Sequence, residues 1–359
     1  MHGKPKIETM KELSEAIGVS RPTLSRYFQD PASVREATSR KIKARLREVD
    51  YVYNYMATRQ NRKTSGLIGV VIPHFRDMFF ASLIEAIERA AEEQNATVIV
   101  QSSDGEPRGE ARAIARLRSM HADGAIIAPL GATESQEALE LASADFPIVF
   151  VDARPSAPIP GTDFVGTDNA SSIGQLVDHL CETGAPPVFL GMPKLNSNAV
   201  ERDQAYELRM EQLGHAPCHV ADRGIEATWR FEAFGQAVME ANFGAGRHLS
   251  DTILCANDRL AIGAMRAAHA HGLFSGGSGF RIAGHDDHPL SRYMHPDLTT
   301  AAQDTDGIGK DAVRLLCGRT RRERTGPAES ILKQTVLRAR ASTRSLDDRP
   351  GAPVRQDCA

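Results

Sequence analysis

Apolar residues follow two different periods along the chain, and the change falls near residue 65. In the stretch TMKELSEAI (9–17), Met10, Leu13 and Ile17 share one face at helical spacing. Thr9 can cap this helix, and Glu12, three residues on, completes a capping box. Gly18 suits the positive φ of a tight turn, Val19 reads as a buried plug and Ser20 as a second N-cap. A helix over about 21–29 then turns Leu24, Tyr27 and Phe28 inward. Pro22 is tolerated there because backbone N–H groups of the first turn have no helical partner. A third helix, about 35–49, buries Ile42, Leu46 and Val49. Helix, turn with glycine, helix is the helix-turn-helix pattern. Its second helix offers Arg21, Thr23, Ser25 and Arg26 on the outer face, residue types that reach base edges and phosphates in a major groove. Arg21 and Arg26 are the candidates for base contacts, Thr23 and Ser20 for phosphate. A small three-helix bundle with no nucleic-acid role is the competing reading.

From Gly66 short apolar runs alternate with helical stretches. LIGVVI (67–72), TVIVQ (97–101), GAIIA (124–128) and PIVFV (147–151) read as buried strands, with helices near 80–94 and 109–120 between them. The same grammar restarts at PVFLG (187–191), TILCA (252–256) and FRIAG (280–284). Such runs separated by helices predict parallel sheets covered on both faces, here as two α/β lobes with a cleft between them. Open α/β sheets bind ligands at the carboxyl ends of their strands. Asp152 follows VFV at such an end, a helix cap or surface charge being its other reading. Asn257 follows LCA and can donate to and accept from hydroxyls; Asp258 beside it reads as a helix cap. Phe79 and Phe80 can line the cleft from the first lobe, at least one of them packing in the core. GHDDHP (284–289) invites a metal reading, but consecutive residues on an extended segment point to alternate sides and cannot all converge. Neither a metal nor a cofactor is expected.

Composition sharpens this picture. The chain has 359 residues and a net charge of −3. Residues 1–64 nevertheless hold 14 Lys+Arg against 7 Asp+Glu, a net of +7. A basic end on an acidic bulk points to a polyanion partner for that end alone. No apolar run reaches the roughly 18 residues that cross a bilayer. The N-terminus lacks the apolar region of a secretory signal. The five cysteines are scattered with no CxxC pair, which fits a reducing cytoplasm.

The run TMKELSEAIGVSRPTLSRYFQDPASVREATSRKIKARLREVDYVYN resembles the N-terminus of the lactose-repressor (LacI/GalR) family. Thr9, Gly18, Val19, Ser20, Thr23, Ser25, Arg26, Val34, Thr38, Tyr51 and Asn54 match its pattern. The resemblance implies a helix-turn-helix domain over 1–52, a hinge helix or linker over 53–65 and an effector-binding core over 66–345. It adds Thr9, Asn54, Met56, Arg59 and Gln60 to the DNA-contacting candidates. In the family the hinge enters the minor groove and a Leu often wedges a base step. Here Gln60 stands at that position and Tyr53 where Pro is usual, so Gln60 would bond base edges or Met56 would supply the apolar contact.

The resemblance continues through DGAIIAP, VFVDAR, VGTDN, ERDQAY, CANDRLAIGAMRA and AGHDDHPLSRYMHPDLTT to about Ser342. It implies a periplasmic-binding-protein-like core whose first lobe is about 66–166 and 303–331 and whose second is about 167–302 and 332–345, with crossings near Gly166, Ala302 and Leu332. The tail 346–359 reads as disordered. Arg202 matches the family's effector-contacting arginine, Asp286 its ligand carboxylate and Trp229 an aromatic position against the effector. Gln303 falls at a lobe crossing. His285 stands where Phe or Tyr is usual and suggests a more polar effector. The expected function is a repressor acting as a homodimer on a pseudo-palindromic operator, controlled by a small effector, a sugar or sugar derivative. A solute-binding transport component is the alternative. An enzyme is not expected, since GxGxxG after the first strand, GxxxxGK[ST], HExxH and GxSxG are all absent.

Overall fold

The computed structural model describes residues 4–53, 64–274 and 279–344, and the chain divides into two compact units, Met1–Ser65 and Gly66–Ala359. The hinge candidates Asn54, Met56, Arg59 and Gln60, and the tail, lie outside the described residues.

In the first unit, helices α1 (Met10–Ile17), α2 (Arg21–Gln29) and α3 (Glu36–Leu46) surround a small core of Leu13, Ile17, Leu24 and Ile42 with Ile7. The capping box forms: Thr9 Oγ1 accepts from the Glu12 N–H at 3.1 Å, and the Glu12 carboxylate accepts from the Thr9 N–H at 3.3 Å. Gly18 stops α1 at φ 66°, and its carbonyl accepts from Lys41 Nζ at 3.1 Å, tying the turn to α3. Ser20 stands at the α2 N-cap without a side-chain cap bond. Its hydroxyl pairs instead with the Thr23 hydroxyl at 2.9 Å. Val19 is only partly buried. The third helix is shorter than predicted, and its flank forms a short parallel pair, β1 (Lys6–Ile7) with β2 (Asp50–Tyr51), that local pattern did not disclose.

The second unit contains two sheets. The first has the order β12-β7-β6-β5-β3-β4, from Ser330–Lys333, Asp163–Thr167, Ile148–Val151, Gly124–Ile127, Leu67–Ile72 and Thr97–Ser102, with every pairing parallel. The second has the order β13-β11-β10-β9-β8, from Val336–Arg338, Thr299–Ala302, Arg281–Asp286, Thr252–Cys255 and Val188–Leu190. It is parallel except for β13, which runs antiparallel to β11. Only two residues separate β12 in the first sheet from β13 in the second, so the chain enters the second sheet at the end where its parallel strands finish, and β13 runs reversed. The chain passes from one sheet to the other after β7, after β11 and between β12 and β13. All six residues of β3 are buried, the mark of a strand covered on both faces. Each lobe closes its own apolar core, one around Leu83, Ile126 and Ile308, the other around Leu176, Phe189 and Ile253. Among the described residues no helix is long and apolar enough to cross a membrane.

Two glycines set the geometry that the cleft uses. A Cβ on Gly235 would lie 2.5 Å from the Leu260 carbonyl oxygen, and one on Gly263 would lie 1.9 Å from that of Glu232. The helices Phe231–Gly244 and Asp258–Ala270 therefore pack backbone to backbone. That approach brings Arg259 against Glu232 at 2.7 Å.

Asp163, the first residue of β7, is fully buried and accepts from Arg319 Nε at 3.0 Å, from Arg319 Nη2 at 2.9 Å and from the Glu329 N–H at 2.8 Å. Burial alone would raise its pKa, but the Arg319 hydrogen bonds outweigh it and hold the carboxyl below the ordinary range. This pair anchors the end of the Thr305–Thr320 helix and the return into β12. Asp163→Asn is expected to lower unfolding free energy by about 3 kcal/mol in urea titrations, because it leaves a shielded guanidinium without its charge. A lowered folded pKa stabilises above the unfolded value and is lost as pH falls through the folded one. The deficit should therefore be full at pH 7 and shrink below about pH 4.

Candidate functional site

On the first unit, α2 carries the basic face. Arg21 and Arg26 are exposed and enter no ion pair among the described residues. Thr23 and Ser25 are half-buried at its flank, and Ser20 and Thr9 are exposed at the starts of α2 and α1. Thr9 is engaged by its own capping box, so what it offers a phosphate is a helix N-terminus more than a free hydroxyl. Two guanidiniums five positions apart on this helix, without an ion pair among the described residues, can meet bases and phosphates.

In the second unit, one cavity between the lobes is lined by all eight effector candidates: Phe79, Phe80, Asp152, Arg202, Trp229, Asn257, Asp286 and Gln303. Their elements explain the convergence. Asp152 follows β6, Asn257 follows β9, Asp286 ends β10 and Gln303 follows β11, all carboxyl ends of parallel strands. Arg202 projects from the helix Ser197–Gln212 that follows β8. Phe79 and Phe80 start the helix Met78–Glu93 and also belong to the first lobe's core. The space between these side chains is about 30 Å3, room for about two waters.

Asp286 is the centre of the polar network. Its Oδ1 accepts from Gln303 Nε2 at 2.7 Å and from Arg202 Nη1 at 3.2 Å. Burial pushes its pKa up, but Arg202 and the His285 hydrogen bond pull it below the usual carboxylate range. Arg202 is itself oriented by the Asn169 side chain at 2.9 Å and the Ala256 carbonyl at 2.8 Å. The Gln303 amide oxygen accepts from the Thr167 hydroxyl, which joins the network to the end of β7. Asp152 sits in left-handed backbone at φ 64°, a conformation costly for a residue with a Cβ. Burial raises its pKa to about 7 despite Arg202 nearby. Near neutral pH it can therefore donate as well as accept.

Several contacts fasten the lobes to each other, among them the Arg154–Glu201 ion pair at 3.8 Å. Asn198 Nδ2 donates to Asp152 at 3.0 Å, Arg259 Nη1 reaches Asp77 at 3.1 Å, and the Arg154 N–H donates to Ser197 Oγ at 2.8 Å.

Some readings need correction. Asn257, not Asp258, caps the Asp258–Ala270 helix, its Oδ1 accepting from the Leu260 N–H at 2.8 Å. Its amide nitrogen meets Met192 Sδ at 3.0 Å. Asp258 lies buried beneath, accepting from Ser291, Thr300 and the His288 N–H. His285 does not face the cavity. Strand alternation turns it behind Asp286, where its ring joins Asp286 at 2.7 Å and Ser172 at 2.9 Å. An ionised carboxylate only accepts, so Nδ1 carries the proton and Nε2 accepts from Ser172. Burial, aided by Arg202, lowers the His285 pKa to about 4, keeping the ring neutral. The polar residue at 285 therefore positions Asp286 and does not bear on effector polarity. Asp287 pairs with Arg340 at 2.6 Å, and the His288 ring accepts from the Leu290 N–H at 3.2 Å. His285 and Asp286 thus bond each other, while Asp287 and His288 turn to other partners.

Asp77, Met192, Asn196, Asn198 and Phe231 also line the cavity and were not singled out from sequence. Asp77 and Asn196 cap the helices that follow β3 and β8, so the rule about strand ends that picked Asp152 also applied to them.

Two family patterns match the chain: the lacI family of bacterial regulatory proteins over residues 9–54, and the periplasmic binding protein domain over residues 68–319. The HTH-type transcriptional regulator PtxS of Pseudomonas aeruginosa is 28% identical over 343 residues, 93% of this chain and 95% of that one. The ribose operon repressor of Halalkalibacterium halodurans is 26% identical over 309 residues, 86% of this chain and 89% of that one. Among solved structures, a lac repressor dimer bound to operator and the anti-inducer ONPF aligns with a TM-score of 0.78 at 24% identity, over 94% of this chain and 99% of that chain. A periplasmic binding protein/LacI transcriptional regulator from Alkaliphilus metalliredigens, complexed with D-xylulofuranose, aligns with a TM-score of 0.65 at 19% identity, over 78% of this chain and 100% of that chain. With a helix-turn-helix head that matches one pattern and a two-lobed body that matches the other over most of its length, the chain belongs to the LacI family of DNA-binding transcriptional regulators.

Proposed function

We propose that this regulator is a repressor whose operator affinity is set by a small polyhydroxyl effector, a sugar or sugar derivative, held between the two lobes. The observation that carries the reading is the cavity where carboxylates, amides and a guanidinium from both lobes converge around Trp229. Ionised Asp286 accepts from hydroxyls, Asp152 both donates and accepts, and the Arg202 fork donates. The flat indole of Trp229 suits the C–H face of a sugar ring. A sugar exceeds the space of about 30 Å3, so binding requires the lobes to part and close again around it. The relatives named above include a ribose operon repressor, and one aligned structure holds D-xylulofuranose, which supports a carbohydrate. The protein acts as a homodimer on a pseudo-palindromic operator, one α2 helix per half-site, with residues 53–65 as the DNA-contacting connector. Effector and operator then affect each other's binding reciprocally.

Two measurements test this. Arg26→Ala should weaken operator binding by about 1–3 kcal/mol and relax preference at one base pair, read by binding selection on randomised duplexes. Unchanged preference would show that α2 does not present Arg26 to a base. Asp286→Asn should remove the effector's influence on operator affinity, followed by fluorescence anisotropy against a panel of sugars, polyols and sugar acids, while effector-free DNA binding persists. An effector titration identical to wild type would reject the pocket.

A further inference from the structure

A second, larger chamber opens beside the cavity and shares Trp229 with it. Its volume is about 390 Å3, within the range of small-molecule sites. His74, Phe75, Arg76 and Asp104 line it from the first lobe, and Trp229, Arg230 and Arg259 from the second. The two chambers have opposite electrostatic character. The inner one gathers Asp77, Asp152 and Asp286 around Arg202. The outer one gathers three arginines against one carboxylate, Asp104.

The arginines are not equivalent. Arg259 is neutralised by Glu232 at 2.7 Å and Asp77 at 3.1 Å. Arg76 and Arg230 are exposed and enter no ion pair among the described residues. They come from opposite lobes, so an anion between them would bridge the lobes as the inner groups do. His74 lines the chamber wall: its Nε2 is buried without a hydrogen-bond partner among the described residues, and its ring meets the Trp229 ring edge-on at 5.8 Å. Gly105 keeps room for this ring pair. At φ +72°, a Cβ there would lie 2.6 Å from Trp229 Cδ1 and 2.8 Å from His74 Nε2.

We infer that the effector is an anionic polyol, its hydroxyls in the inner chamber and a terminal phosphate or carboxylate in the outer one between Arg76 and Arg230. This rests on the reading of the cleft as the effector site and deepens it. Opposite polarities on the two sides of Trp229 fix the ligand's direction: Asp286 and Asp152 outnumber Arg202 at the inner end and disfavour an anion there, while Arg76 and Arg230 attract it to the outer. Arginine forks suit both phosphate and carboxylate oxygens.

Trp229 is the only tryptophan of the chain, so its emission in the full-length protein reads both chambers. The probes are inorganic phosphate, ribose, ribonate and ribose 5-phosphate, titrated at constant ionic strength into wild type, Arg76→Gln/Arg230→Gln and Asp286→Asn. Both arginines are exposed, and an unchanged melting temperature will show that the double variant is folded. In wild type, phosphate should shift the emission saturably, and at least one anionic ribose derivative should bind about ten-fold tighter than ribose or better. The double variant should lose the phosphate response and the anionic advantage while ribose affinity stays as it was. Ribonate against ribose 5-phosphate decides between carboxylate and phosphate. No saturable phosphate response in wild type, the same response in the double variant, or ribose binding as tightly as both derivatives would overturn the inference. Failure of the effector reading looks different: phosphate still binds through the arginines, but Asp286→Asn changes no sugar titration.

Discussion

Burying an ionised carboxylate costs several kcal/mol unless it is paired and hydrogen-bonded, and Asp286 imposes that demand on this fold. Its oxygen gathers Arg202 from the helix after β8, His285 from its own strand and Gln303 from the segment leaving β11. Gln303 in turn accepts from Thr167, where the chain leaves β7 for the second lobe. Meeting the needs of one charge therefore brings two inter-lobe crossings and the end of β10 to a common point. The remaining partners follow: Asn169 and the Ala256 carbonyl orient Arg202, and Ser172 holds the neutral His285 in register.

The lobes differ in kind from the joint between them. Each encloses its own apolar core, and close-packed interiors resist deformation. Hydrogen bonds and ion pairs cross the joint, Asp77 with Arg259, Asp152 with Asn198 and Arg154 with Ser197, beside the edge-on contact of His74 with Trp229. Hydrogen bonds of this type exchange for ligand hydroxyls or water at small net cost, whereas an apolar core does not open that way. Two stiff bodies joined by exchangeable contacts are the architecture of hinge closure around a ligand.

Much of this was readable before any coordinates, for unequal reasons. The helix-turn-helix rests on contacts a few residues apart, so the Thr9–Glu12 box and the Gly18 turn could be read directly from spacing. The eight cleft residues sit at strand ends or at positions matching a known family, and the structure brings them to one cavity. The signal failed where side-chain direction decides. Nothing local distinguishes Asn257 from Asp258 as the cap, or says that His285 faces Ser172 while Asp286 faces the cavity. No local pattern marks Arg259, and only the close packing at Gly235 and Gly263 sets it beside Glu232.

Periodicity, caps and turn glycines are short-range, so the amino-acid order alone determined the three-helix head, the alternation of strands and helices, and the family to which both halves point. Burial and charge state depend on what arrives from distant parts of the chain. The raised Asp152 pKa, the neutral His285, the ionised Asp286, and the opposite polarity of the chambers flanking Trp229 exist only once residues distant along the chain are packed together. Desolvation and Coulomb interaction act through space and not along the sequence, and for that reason they were decided by the tertiary structure.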